Sequence, residues 1–146
     1  MMTSNPICQN LVVESNPLLV DLIWHDLSAK LKEKGYTKDD VFSIHLAVEE
    51  AFVNAVKHGN KMDLDKKVNF NYRIDDEKVE ISVKDEGTGF KPDKVPDPRC
   101  GKNIFKPSGR GLFLIRAYMD EVEYKDKGTC LKIVKYKSTS PLTPKK

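Results

Sequence analysis

Cysteine is scarce in this chain, with three residues, Cys8, Cys100 and Cys130, among 146. They are odd in number and widely spaced, matching neither a zinc-ligand pattern nor a disulfide framework, so buried or incidental thiols are expected. No uninterrupted apolar run approaches the ~20 residues of a membrane span. Residues 1–10 have neither a basic start nor an apolar stretch, which argues against a secretory leader. An excess of one charge is also lacking. Lysine and arginine number 25 against 22 acids, a formal net charge of +3, too small to argue for direct nucleic-acid binding. Internal repeats and domain linkers are absent from the pattern. A cytoplasmic protein is the default expectation.

What is present fits one ordinary globular domain. Hydrophobic residues make up 39% and charged residues 32%, and a chain of this length buries roughly two thirds of the surface it exposes unfolded. Lysines alternate with acids along most of it, as on a solvated surface. Only the end is distinctly basic, with Pro141, Pro144 and several hydroxyl residues. Residues 1–137 are therefore read as the domain, and 138–146 as a basic, disordered tail.

The segment 7–14, with Leu11-Val12-Val13, reads as a first strand. Asn16-Pro17 offers an N-cap followed by proline at the first helical position. Leu19, Ile23, Leu27 and Leu31 then recur every four residues, giving an amphipathic helix closed by Gly35. Thr37-Lys38-Asp39-Asp40 resembles a capping box and starts a second helix running to about His58. Its apolar face comprises Val41, Ile44, Ala47, Val48, Ala51, Phe52 and Ala55. The alternation in 68–74 and 79–83, around the turn Asp75-Asp76-Glu77, predicts an antiparallel hairpin. A proline-containing loop over 91–107 lacks periodicity, and loops of that length are usually functional or mobile. Ser108-Gly109 opens a third helix, and 121–125 with 129–136 form a last strand pair. Antiparallel strands with helices on one face make an α+β, two-layer α/β sandwich.

Two glycine-rich turns stand out, Asp85-Glu86-Gly87-Thr88-Gly89 and Gly109-Arg110-Gly111-Leu112. Glycines clustered this way let a backbone approach a flat base or a phosphate chain, and a turn feeding a helix aims unpaired N–H groups at an anion. Both follow a helix in which Glu50 and Asn54 lie about 40° apart at the edge of the apolar face. Such polar groups either serve a site or find buried partners. The ordered set of acid, amide and two glycine turns suggests a nucleotide site.

Glu50-x-x-x-Asn54-Ala55, Asp85-x-Gly87-x-Gly89 and Gly109-x-Gly111 resemble the ATP-binding boxes of the superfamily named for gyrase, the heat-shock chaperone, histidine kinases and mismatch repair. Within it, the compact length resembles the anti-sigma-factor serine kinases of bacterial stress and sporulation switches. So do Leu46-Ala47-Val48-Glu49-Glu50-Ala51, Asn54-Ala55-Val56-Lys57-His58-Gly59 and Ser108-Gly109-Arg110-Gly111-Leu112. The resemblance covers roughly 16–136. It implies the Bergerat ATP-binding fold, with a mostly antiparallel mixed sheet.

It further implies ATP and Mg2+ as ligands, with Asn54 supplying an amide oxygen to the metal and Asp85 reading adenine. Gly87 and Gly89 would let purine and ribose lie against the backbone. Gly109, Arg110, Gly111 and Leu112 would face the phosphates beneath a lid over 91–107, and Thr129 would place a hydroxyl near adenine. The implied partners are an anti-anti-sigma antagonist as substrate and a sigma factor, with the protein a homodimer.

Glu50 is the candidate general base for a serine hydroxyl, although the same carboxylate could activate water. Glu49 lies 100° away round the helix and lacks the four-residue spacing to Asn54. Lys57 and Arg110 can each contact phosphate or face solvent. His45 reads as a phosphoacceptor or as a packing or surface residue. Two further functions stay open at this point: a non-catalytic ATP-dependent binding module, and a histidine-kinase-type ATPase domain acting in trans.

Overall fold

The computed structural model describes residues 5–87 and 107–138. Strand β1, Ile7–Glu14, is followed by a 3-10 turn, Pro17–Leu19, and helix α1, Val20–Glu33. Asn16 caps this start: its side-chain oxygen accepts the Leu18 N–H at 3.0 Å, with Pro17 behind it needing no acceptor. Val20, Ile23, Leu27 and Leu31 are buried, so the four-residue period marks the true inner face. Gly35, at φ +81°, turns the chain out of the helix.

Helix α2, Lys38–Asn54, begins at Thr37, whose hydroxyl accepts the Asp40 N–H at 3.1 Å. The expected capping box is only half made. Asp40 is buried and does not bend back to the helix start; its carboxylate accepts the backbone N–H of Ser138 at 2.8 Å and the Ser138 hydroxyl at 2.6 Å. Ser138, assigned above to the tail, is thus held against the helix layer. Residues 139–146 lie outside the described residues.

Strands β2, Lys67–Ile74, and β3, Lys78–Lys84, form the hairpin. After helix α3, Pro107–Tyr118, come β4, Glu121–Lys125, and β5, Cys130–Tyr136. The sheet order is β1-β2-β3-β5-β4, and every pairing among the described strands is antiparallel. The parallel component of a mixed sheet is therefore missing from them. A 3-10 turn, Asp126–Gly128, joins β4 to β5, leaving Thr129 just before the strand rather than in it.

Alternate side chains of the central strands point to one face. Val68, Phe70, Tyr72 and Ile74 of β2 join Val79, Ile81 and Val83 of β3, and Leu131 and Ile133 of β5. They meet Ile44, Val48 and Phe52 of α2, all fully buried, in one continuous core. Helix α2 runs over the middle of this layer with α1 and α3 packed against it. Its inner face is anchored in the core, so the polar residues at its edge are held in fixed positions.

Candidate nucleotide site

Helix α2 does not end where its α-geometry ends. Ala55–Gly59 continue as a π turn, with the Asn60 N–H bonded to the Ala55 carbonyl at 2.8 Å. Wider turns of this kind are rare and occur mostly at functional positions. This one brings Gly59 against Asp85, the first residue after β3. A Cβ at Gly59 would lie 2.2 Å from Asp85 Oδ2, and a Cβ at Gly87 would lie 2.1 Å from the Gly59 carbonyl oxygen. Neither approach leaves room for any side chain but hydrogen.

The Asp85 carboxylate is half-buried in this corner. Its Oδ1 accepts the Gly87 N–H at 2.8 Å, while its own N–H donates to the Thr129 carbonyl at 2.9 Å. Burial raises its pKa above the usual aspartate range, against the Gly87 N–H and the charge of Lys66, which lower it. Thr129 adjoins Asp85 through that backbone bond, and its hydroxyl donates to the Asp126 carbonyl at 2.8 Å. The proton of the hydroxyl expected near adenine is thus already engaged, leaving the oxygen as an acceptor.

Upstream on the same helical segment, Glu50 and Asn54 are both partly buried. Among the described residues, neither side chain has a hydrogen-bond partner. Burial raises the Glu50 pKa above the usual glutamate range; Glu49 adds to the rise and Lys57 opposes it. Glu49 itself is engaged elsewhere, its Oε1 lying 3.2 Å from His45 Nε2. The His45 ring stacks on Trp24 at a centroid distance of 4.4 Å and 5° between planes, which is a packing role. Lys57 is exposed and acts on Glu50 through its charge.

The backbone of Gly109, Arg110, Gly111 and Leu112 lies in the first turns of α3, and α3 packs beside α2. The side chains of Arg110 and Leu112 lie outside the described residues, as do Gly89 and positions 91–106 of the expected lid. The structure thus joins Asp85, Gly87 and Thr129 in one corner, at the end of the helical segment that carries Glu50 and Asn54.

The family described as histidine kinase-like ATPase domain matches residues 13–135 of this sequence. The chain belongs to that family. It is 31% identical over 133 residues to the serine-protein kinase RsbW of Listeria innocua, spanning 86% of this chain and 85% of that protein. It is 30% identical over 131 residues to the serine-protein kinase RsbW of Bacillus subtilis, spanning 85% and 82%. Among solved structures, the RsbU and RsbW domains of Rv1364c from Mycobacterium tuberculosis share the fold at a TM-score of 0.61 and 18% identity. That match covers 92% of this chain and 32% of that one.

Two residues of this candidate site were not singled out as such from the sequence. By sequence alone, Gly59 and Asn60 only mark the end of the second helix just after His58. Only the π turn, which no periodicity announces, brings Gly59 to Asp85 and turns Asn60 inward.

Among the described residues, the Asn54 amide oxygen is a ligand type that a metal could use. No group of three or more His, Cys, Asp or Glu side chains is placed to hold an ion among the described residues. Magnesium, however, keeps several waters and shares phosphate oxygens, so the partnerless amide of Asn54 fits it. No helix among the described residues is long and apolar enough to cross a membrane.

Proposed function

We propose that the chain is an ATP-dependent serine kinase that phosphorylates an anti-anti-sigma antagonist and holds a sigma factor when the antagonist is modified. The observation that carries this is the linear arrangement along α2 and its π turn. Glu50, Asn54 and Gly59 follow one another, and the span from Glu50 to Gly59 is about 13 Å at the helical rise. Asp85 sits at the far end. A nucleotide with its adenine on Asp85 would thus run its phosphates back toward Asn54 and Glu50.

Asp85 Oδ2 accepts the exocyclic amine of adenine, while Oδ1 stays bonded to the Gly87 N–H. Gly87 lets the loop close on the Gly59 carbonyl and so keeps Asp85 in place beside the purine. Asn54 holds Mg2+ through its amide oxygen, and the metal when bound neutralises phosphate charge. Gly109, Arg110, Gly111 and Leu112, in the first turns of α3, lie along the phosphates, and the Thr129 oxygen faces the base. Glu50 takes the proton of the substrate serine as its oxygen bonds the γ-phosphorus, while the bond from that phosphorus to the β,γ-bridging oxygen breaks and ADP leaves. Burial and Glu49 make its carboxylate a stronger proton acceptor than a solvated one. In this reading the protein is a cytoplasmic homodimer that does not contact nucleic acid directly.

The test is Glu50→Gln, assayed by transfer of labelled phosphate to a small anti-anti-sigma antagonist protein. Gln keeps size and hydrogen-bonding capacity but cannot act as the base, whose usual contribution is ~10²–10⁴ in rate. Phosphate transfer falls by at least ~10² while ATP affinity stays within a few fold. If wild type transfers no phosphate yet binds partners in an ATP-dependent way, a non-catalytic binding module is the correct reading. Transfer by histidine instead of serine would favour the histidine-kinase-type domain.

A further inference from the structure

We infer that Asn60 is a positioning residue for base recognition: its buried amide fixes the loop that carries Asp85 before any nucleotide arrives. The inference rests on the reading of Asp85 as the adenine contact.

Asn60 follows the π turn directly and is fully buried, 0% exposed. Its side-chain oxygen accepts the Glu86 N–H at 2.7 Å. Its side-chain nitrogen donates to Ser15 Oγ at 2.6 Å and to the Lys67 carbonyl at 2.9 Å. Only one orientation of the amide satisfies all three, because one side meets a donor and the other a carbonyl. The Ser15 hydroxyl passes its own proton on to the Lys66 carbonyl at 2.9 Å. A second tie closes a triangle, since Glu86 Oε2 accepts the Lys67 N–H at 3.0 Å.

A neutral amide in a buried site is costly unless fully bonded, and this one is. Its bonds tie the end of the π turn to three pieces of chain that the sheet already brings together: the end of β1, the start of β2 and the loop after β3. Beyond Asn60, Lys61 and Met62 both adopt left-handed backbone angles, φ 52° and 62°, which non-glycine residues adopt at a cost. That turn holds Asn60 inward. Asp85 is therefore fixed from two sides: Gly59 gives its carboxylate a contact surface with no Cβ, and Asn60 holds the next residue, Glu86, by its N–H. The carboxylate that reads the base thus needs no ordering when ATP binds, and ordering costs are what preorganisation removes from affinity.

The experiment measures magnesium-ATP and magnesium-GTP affinities by calorimetry for the full chain, Asn60→Ala and Ser15→Ala, with melting temperature alongside. Asn60→Ala weakens ATP by about tenfold, one hydrogen bond's worth in a buried site, and leaves GTP within about twofold. Its kcat for phosphate transfer at saturating ATP stays close to wild type while KM for ATP rises. Ser15→Ala lowers the melting temperature and keeps the ATP-to-GTP ratio, since it removes a strut that does not touch Glu86. Equal ratios in wild type and Asn60→Ala, or a ratio lost equally in Ser15→Ala, overturn the inference. Amide exchange in the nucleotide-free wild type gives an independent answer even where Asn60→Ala fails to fold. The Glu86 N–H is protected there if Asn60 holds it, and exchanges freely, gaining protection only with ATP, if the inference is wrong. A wild type with no preference for ATP over GTP would instead overturn the adenine reading itself.

Discussion

The two ends of the candidate site are built on opposite terms. At the Asp85 end three polar groups of the loop are engaged: Oδ1 with Gly87, the Asp85 N–H with Thr129, and the Glu86 N–H with Asn60. At the α2 end, Glu50 and Asn54 stand side by side with no side-chain partner among the described residues. Packing density follows the same division, since Gly59 and Gly87 touch across a gap that would not admit a methyl group. In the proposed reading, the contrast corresponds to what each end would have to do. A base is a rigid, flat ligand of one shape, so a preformed surface suits it. Phosphates, a metal and an incoming hydroxyl change position and charge during transfer, so groups facing them have to stay available.

The sharpest way to break this comparison is Gly59→Ala. Its Cβ would lie 2.2 Å from Asp85 Oδ2, and forced overpacking costs about 1–3 kcal/mol. Chemical denaturation should therefore show a clear loss of stability, with ATP affinity falling further because the carboxylate is displaced. Retention of both would mean that the corner is loose.

Asp85→Asn should affect the ligand more than the fold. The amide can keep its bond to the Gly87 N–H, but it replaces a charged acceptor, and charged hydrogen bonds are roughly twice as strong. A loss of about tenfold in ATP affinity is expected, with non-adenine nucleotides and inorganic phosphate scarcely changed. A uniform loss across all ligands would show that Asp85 supports the fold instead of reading the base.

At the open end, Asn54→Ala should leave stability within about 0.5 kcal/mol, as for groups that bond nothing in the folded state. What it should abolish is the magnesium dependence of ATP binding, measured by titration with and without the metal. A large drop in melting temperature would reveal a buried partner for Asn54 and erase the contrast.

The smallest effect concerns pH. Because the folded-state pKa of Glu50 is raised, mainly by burial, the folded protein binds more protons than the unfolded chain just above the ordinary glutamate pKa of about 4.3. Its contribution to stability is then full below that pH and is lost as pH rises through the folded pKa. Wild type should accordingly lose stability relative to Glu50→Gln across that window. Phosphate transfer should rise through the same window as the base deprotonates. A stability difference that stays flat with pH would indicate a solvated carboxylate.

Much of this was legible in the sequence, and the exceptions share a cause. Inner faces could be read because burial repeats: Ile23, Leu27 and Leu31 at helical spacing, and Val68, Phe70, Tyr72 and Ile74 at strand spacing. Site candidates could be read because glycine turns and a Glu-to-Asn spacing leave local marks. Asp40 misled because a capping box is defined by neighbours, whereas its carboxylate was bonded by a residue 98 positions away. Asn60 was missed for the same reason, its partners being Ser15, Lys67 and Glu86. Long-range hydrogen bonds have no period, so a local pattern cannot disclose them.

The tie between Asp40 and Ser138 also bears on the order in which the protein can be completed as it is made. At about 5–20 residues per second, Ser138 is synthesised about 5–20 s after Asp40. During that interval the start of α2 carries a carboxylate whose burial awaits its bonds. The helix layer can collapse early on its apolar side, but this corner can close only after β5 has been made and added beside β3. Ser138 thus completes an environment begun at the start of α2, and a nascent chain lacking it remains one seal short there.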